Sequence, residues 1–198
     1  SIDVWQEGGT PIAAPLRSTV KYRFAKSYFG APVDFVWYDG VASKEGAYLH
    51  APREDIWKQD FPTIDHVVRR FDLVLIGDKG RMYFGRTRQD WVFKPETAGT
   101  DFTLPEKTIP RVPGGLQDGR GEDTGGAYFE WLEAIRTGTP ALSNFAVAGP
   151  FSETVLLGNL ALRLGRRIEW DAKTMTVKGA PEAASMVRRA YRKGWELA

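Results

Sequence analysis

The amino-acid sequence predicts an α+β fold: an open-faced, mostly antiparallel β-sheet with helices on one face. Three observations carry this. Period-two alternation of apolar and polar residues marks 19–24 and 33–37. Two apolar runs flank Gly77-Asp78-Lys79-Gly80 as the arms of a hairpin would. Apolar residues at helical spacing dominate only after residue 125. Strands first and helices later is the α+β order, and 198 residues suit a single domain.

The elements follow in order. Val20, Tyr22 and Phe24 fall on one side of a strand, with Thr19, Lys21 and Arg23 on the other. After a turn at Gly30-Ala31-Pro32, Val33, Phe35 and Trp37 alternate in the same way. Residues 39–70 form an irregular excursion rich in Gly, Pro and charge. Leu73–Ile76 and Arg81–Phe84 read as strands joined by the tight turn, and Trp91-Val92-Phe93 as a further strand. Residues 95–125, with their prolines and glycines, read as an extended surface segment.

Tyr128, Trp131, Leu132 and Ile135 then make one apolar helical stripe, capped at Asp123 or Thr124 and ended by Gly138 and Pro140. A second helix is predicted to start at Pro150, a good first-turn residue, and to stop at Gly165. Ile168–Trp170 and Met175–Val177 read as short strands around an Asp171-Ala172-Lys173 turn. Pro181–Arg192 reads as a last short helix. A sheet with one face open exposes apolar area unless a partner covers it. Tyr22 and Trp37 are therefore either partner-facing or plain core.

Composition narrows the function classes. A hydrophobic share of 42% and a charged share of 26% are those of a globular protein. A chain of this length buries about 70% of its unfolded surface, so its core needs no staples. No run of about 18 apolar residues occurs, so no membrane partner is expected. Ser1–Trp5 has neither a basic nor an apolar leader region, so no signal peptide is expected there. Zero cysteines exclude disulfides and thiolate chemistry and fit cytoplasm or periplasm alike. A net charge of +2 and a pI of 8.8 reflect scattered arginines, and no nucleic-acid partner is expected.

The residues offer little self-contained chemistry. No GxGxxG opens a helix after a strand, so the dinucleotide fingerprint is absent. His50 and His66 titrate near neutrality but have no nucleophile or carboxylate at telling spacing. A metal site from His50, Asp55, Asp60 and His66 is not selected by spacing. A solvated charged segment, with Lys and Arg interspersed, is the better explanation of Glu54, Asp55, Asp60 and Asp65. The clusters Arg163, Arg166 and Arg167, and Arg188, Arg189, Arg192 and Lys193, fit helix C-termini and ion pairs better than phosphate contacts. Trp37-Tyr38-Asp39 suits a sugar platform, because an aromatic face covers C–H groups while a carboxylate accepts O–H donors. A strand end with a turn aspartate explains it too.

The segment Ser143–Asp171, SNFAVAGPFSETVLLGNLALRLGRRIEWD, closely resembles the C-terminal region of the Gfo/Idh/MocA oxidoreductases, the glucose–fructose oxidoreductase and inositol dehydrogenase family. Pro181-Glu182-Ala183 with Arg189–Leu197 resembles the ending of its bacterial-type branch. Trp37-Tyr38-Asp39-Gly40, Gly77–Gly80 and Pro110-Arg111-Val112-Pro113-Gly114 are similar in family order, so the resemblance spans nearly the whole chain.

The resemblance implies a C-terminal substrate-binding and oligomerisation domain. Its partners would be its own N-terminal Rossmann domain, which binds NAD or NADP, a sugar or polyol substrate, and further copies docking through the open sheet face. The family's catalytic Glu-Lys-Pro lysine and later histidine have no counterpart here. On this resemblance the chain begins after both and is inactive alone. Relatives often carry a histidine where Ala127 stands, so no catalytic residue is carried over. Trp37, Asp39, Tyr128 and Asn144 are the candidate substrate-binding residues, and no metal is expected. The alternative is a stand-alone carbohydrate-binding or scaffolding module with the fold but not the dehydrogenase activity.

Overall fold

The computed structural model describes residues 1–10, 12–26, 30–40, 51–64, 67, 70–85, 90–100, 102, 103, 106, 108, 126–188 and 190–196. Its elements run β1 (Ile2–Glu7), β2 (Arg17–Phe24), β3 (Val33–Gly40), α1 (Glu54–Trp57), β4 (Phe71–Gly77), β5 (Gly80–Gly85), β6 (Trp91–Pro95), α2 (Gly126–Thr137), α3 (Phe145–Leu164), β7 (Trp170–Asp171), β8 (Thr176–Val177), a 3-10 turn (Pro181–Ala183) and α4 (Ala184–Val187). The fold is α+β, with open sheets ordered β1-β2-β3, β4-β5-β6 and β7-β8, and every strand pair is antiparallel. The chain forms two compact units, Ser1–Ala51 with Pro150–Ala198, and Pro52–Gly149.

In the first unit, register fixes which residues share a face. Ile2, Tyr22 and Phe35 lie side by side, as do Val4, Val20 and Trp37, and Gln6, Ser18 and Asp39. This face meets α3 in a core of Ile2, Val20, Tyr22, Leu160 and Ala161, closed by Ile168, Val177 and Ala180. Gly158 permits the approach, because a Cβ there would run into the Tyr22 hydroxyl. Tyr22 is thus core, only 5% exposed. Of the two aromatics that stood between core and surface, only Trp37 is open. The opposite face is charged, tied by Arg17–Glu7 at 2.6 Å and Lys21–Asp34 at 3.0 Å.

The first strand escaped the sequence reading because its alternation is disguised. Gln6 continues the core-facing row of Ile2 and Val4, while Trp5 lies on the other side. The inward Gln6 amide is satisfied by donating to the Leu162 carbonyl at 2.9 Å. Backbone bonds of 2.9 Å in both directions join Ile2 to Ile168. Ile168 makes only that bridge, so the predicted strand at 168–170 shortens to Trp170–Asp171. Asp171 Oδ1 accepts the Lys173 amide at 3.0 Å and forms the predicted turn.

In the second unit, Gly77 pairs with Gly80, so the hairpin turn is Asp78-Lys79 as predicted. A Cβ on Gly80 would strike the Lys94 carbonyl of β6. One face of this sheet carries Val74, Tyr83 and Val92, packed with Trp57, Phe61, Ile64, Val67 and Phe71. The other carries Leu73, Leu75, Met82, Phe84, Trp91 and Phe93, against which Phe102 stacks at 4.5 Å from Phe93. Leu73 and Leu75 are exposed. The open apolar face therefore belongs to this sheet. A shift between Phe71 and Leu73 sends these two odd-numbered neighbours to opposite sides. The excursion predicted to be irregular contains α1, whose Trp57 is buried and donates to the Pro52 carbonyl at 3.3 Å.

Both long helices lie near their predicted places. In α2 the Tyr128, Trp131, Leu132 and Ile135 stripe forms as expected, and Gly138, at φ 74°, ends it. Its predicted caps, Asp123 and Thr124, lie outside the described residues. Helix α3 starts five residues before Pro150, because Asn144 supplies a better start. The Asn144 Oδ1 accepts the Ala146 amide at 2.9 Å. Pro150 is thus inside the helix, and Gly165 stops it. By length and composition α3 is apolar enough to cross a bilayer. Its Gly158, Leu160 and Ala161 face instead packs on the first sheet. The last predicted helix is a 3-10 turn plus α4, ending at Val187.

Candidate functional site

Trp37 and Asp39 alternate on β3 and point to the same side of an edge strand. The strand carries them there because Phe35, two residues back, stacks on buried Tyr22 at 5.4 Å, anchoring the row. Phe35 meets Trp37 edge-on at 6.2 Å, which fixes one rim of the indole. Trp37 is 54% exposed, and Asp39 is exposed beside it. The Asp39 carboxylate has no hydrogen bond or ion pair among the described residues, so its oxygens stay available. Together they offer a flat apolar plate and an acceptor.

The other two candidates belong to the second unit. Tyr128 stands exposed on the α2 stripe with Trp131, Leu132 and Ile135. Asn144 uses both ends of its amide in capping, with Nδ2 donating to the Ala141 carbonyl at 2.8 Å while Oδ1 takes the Ala146 amide. Its side chain is committed to the backbone.

His50 and His66 lie outside the described residues, as does Asp65. Asp55 pairs with Arg53 at the surface. No group of three or more metal-ligating side chains occurs among the described residues. Asp60, read as part of a solvated segment, is a correction. Its side chain is only 10% exposed and holds Arg81 Nε at 2.5 Å and Nη2 at 3.2 Å, plus the Tyr83 hydroxyl at 2.6 Å. Arg81 reaches on to Glu96 at 2.9 Å.

Burial pushes the Asp60 carboxyl up, but hydrogen bonds from Arg81 and Tyr83 outweigh it and hold it below the usual range. Burial, then the Asp60 hydrogen bond, pushes the Tyr83 phenol well above its usual value. The cluster is a charge-balanced clamp under the second sheet. Its sequence signal was Arg81 two residues from Tyr83 on a core-facing strand row, which demands a buried carboxylate without saying which.

The arginine clusters are partly accounted for by ion pairs. Arg166 meets Glu182 at 2.7 Å, and Arg167 meets Glu169 at 2.8 Å and Asp3 at 3.7 Å. Arg189 lies outside the described residues. A Rossmann dinucleotide cradle is built on mostly parallel strands joined through helices. All the described strand pairs are antiparallel.

Compared with known proteins, the chain matches no family model, no curated protein and no solved structure.

Proposed function

We propose that this chain is the substrate-facing and oligomerisation part of an NAD(P)-dependent oxidoreductase acting on a sugar or polyol. The observation that carries the reading is the open Trp37 ring beside the uncommitted Asp39 carboxylate. It has the form of a polyol subsite, and it lies in a chain whose 143–171 segment resembles that family. Hydride transfer needs the nicotinamide held close to the carbinol carbon. In this proposal a Rossmann partner holds NAD or NADP, while this chain orients the hydroxyls.

The apolar face of the second sheet supports the oligomer half of the reading. Copies of the chain would cover Leu73, Leu75 and their neighbours.

A polyol such as myo-inositol should change the tryptophan fluorescence of the chain in a saturable way. W37A and D39N should each weaken that binding about ten-fold. The chain alone should not reduce NAD or NADP, and it should do so when joined to a Rossmann domain. Unaltered binding in W37A would remove the platform. Turnover by the chain alone would remove the division of labour.

A second reading, a stand-alone carbohydrate-binding module, is favoured by one fact: the Trp37–Asp39 pair needs nothing outside its own sheet. That reading predicts sugar binding of equal strength with and without the Rossmann partner.

A further inference from the structure

A cavity of about 320 Å³ opens in the first unit between the β8 hairpin and α4, away from β3. Buried Val177 and Ala180 lie at its base, and Ala184 and Val187 flank it. Two alanines on one wall leave the recess that larger side chains would fill. The polar lining is sparse: Thr174, Thr176 and Arg188. Arg188 is its one charged lining residue and has no ion pair among the described residues, unlike Arg166 and Arg167. The two threonine hydroxyls lie 2.8 Å apart and share one hydrogen bond. The Thr174 hydroxyl also meets the Asp171 carboxylate, so both hydroxyl hydrogens are taken.

We propose that this cavity binds a small monocarboxylate with an aliphatic tail. The lone guanidinium matches a carboxylate in charge and can present two N–H groups to it. The alanine–valine surface takes the tail. A volume of this size corresponds to about ten water volumes, which suits tails of about four to six carbons. A single cation among uncharged lining residues favours a monoanion over phosphate. The site is independent of the Trp37–Asp39 platform and of the oxidoreductase reading.

Hexanoate titrated into the 15N-labelled chain should give saturable amide shifts centred on Thr176, Val177, Ala180 and Ala184. Hexanol, which lacks the charge, and acetate, which lacks the tail, should each bind at least about ten-fold more weakly. R188Q should weaken hexanoate about ten-fold, and A184L, which fills the recess from an exposed helix position, should abolish the shifts. Circular dichroism of both variants establishes that they are folded. The proposal is overturned if hexanoate gives no saturable shift, if hexanol binds as well, if R188Q binds unchanged, or if the shifts centre elsewhere.

Discussion

The Tyr83 hydroxyl donates to Asp60 Oδ2 at 2.6 Å, the same oxygen that receives Arg81 Nε at 2.5 Å. Tyr83 is fully buried, so its hydroxyl has no water to turn to. Y83F should cost about 1.5–3 kcal/mol, the range for a hydrogen bond to a charged group. D60A should cost about 3–5 kcal/mol, because it leaves the Arg81 guanidinium largely buried with only exposed Glu96 to meet it. Urea unfolding followed by tryptophan fluorescence measures both, and equal losses would contradict the clamp.

The same cluster sets a pH dependence at each end. The folded Asp60 carboxyl lies below its ordinary value of 3.8. Its contribution is complete above that pH and is lost as pH falls through the lowered folded value. The folded Tyr83 phenol lies above its ordinary value of 10.0. Its contribution is complete below pH 10 and drains away as pH rises towards the raised value. Melting curves in D60N and Y83F should flatten at the acid and alkaline ends respectively.

Gly158 faces a different constraint. Alanine is the better helix former by about 1 kcal/mol, yet its Cβ would strike the Tyr22 hydroxyl. G158A should therefore destabilise by about 1–3 kcal/mol. In a Y22F background the hydroxyl is gone, and the remaining contacts, at 3.2 and 3.3 Å, need only small adjustments. G158A should then cost at least about 1 kcal/mol less in that background, read from a thermal double-mutant cycle.

Asn144 should behave as a cap. N144A should lower stability by about 1 kcal/mol, and N144D and N144S should restore most of it. Polyol titrations of N144S should match the wild type. A loss of binding without a loss of stability would reassign this side chain to the ligand.

Self-association should depend on the exposed row of β4. L75E places a charge among Leu73, Met82 and Phe93, and should shift sedimentation towards the 22.2 kDa monomer. K26E, on the first unit, should leave the sedimentation profile unchanged.

The parts of the fold that were legible are those where burial imposes a simple period. Val20, Tyr22 and Phe24 alternate because one side faces a helix, and the α2 stripe repeats because a helix repeats. The Gly77–Gly80 turn was legible from glycine alone. Beyond these, the structure depends on pairings that sequence spacing does not encode. Asp60 looked like any charged loop residue, since the arginine that buries it lies 21 positions away. Pro150 looked like a start because proline favours the first turn, and the stronger signal was a capping amide six residues earlier. Of the candidate site, the side shared by Trp37 and Asp39 followed from their spacing. The commitment of Asn144 to the backbone did not, because it depends on the Ala141 carbonyl folding back beneath it.

The irregularity between Phe71 and Leu73 gives β4 one residue more than its partner strand at that point. Removing Asp72 would take out the one extra residue, leaving Phe71 opposite Gly85 and Leu73 opposite Phe84 in unbroken alternation. The phenylalanine would stay inward and the leucines outward. A single-codon deletion at this point would thus straighten the strand while preserving the division of its side chains between interior and surface.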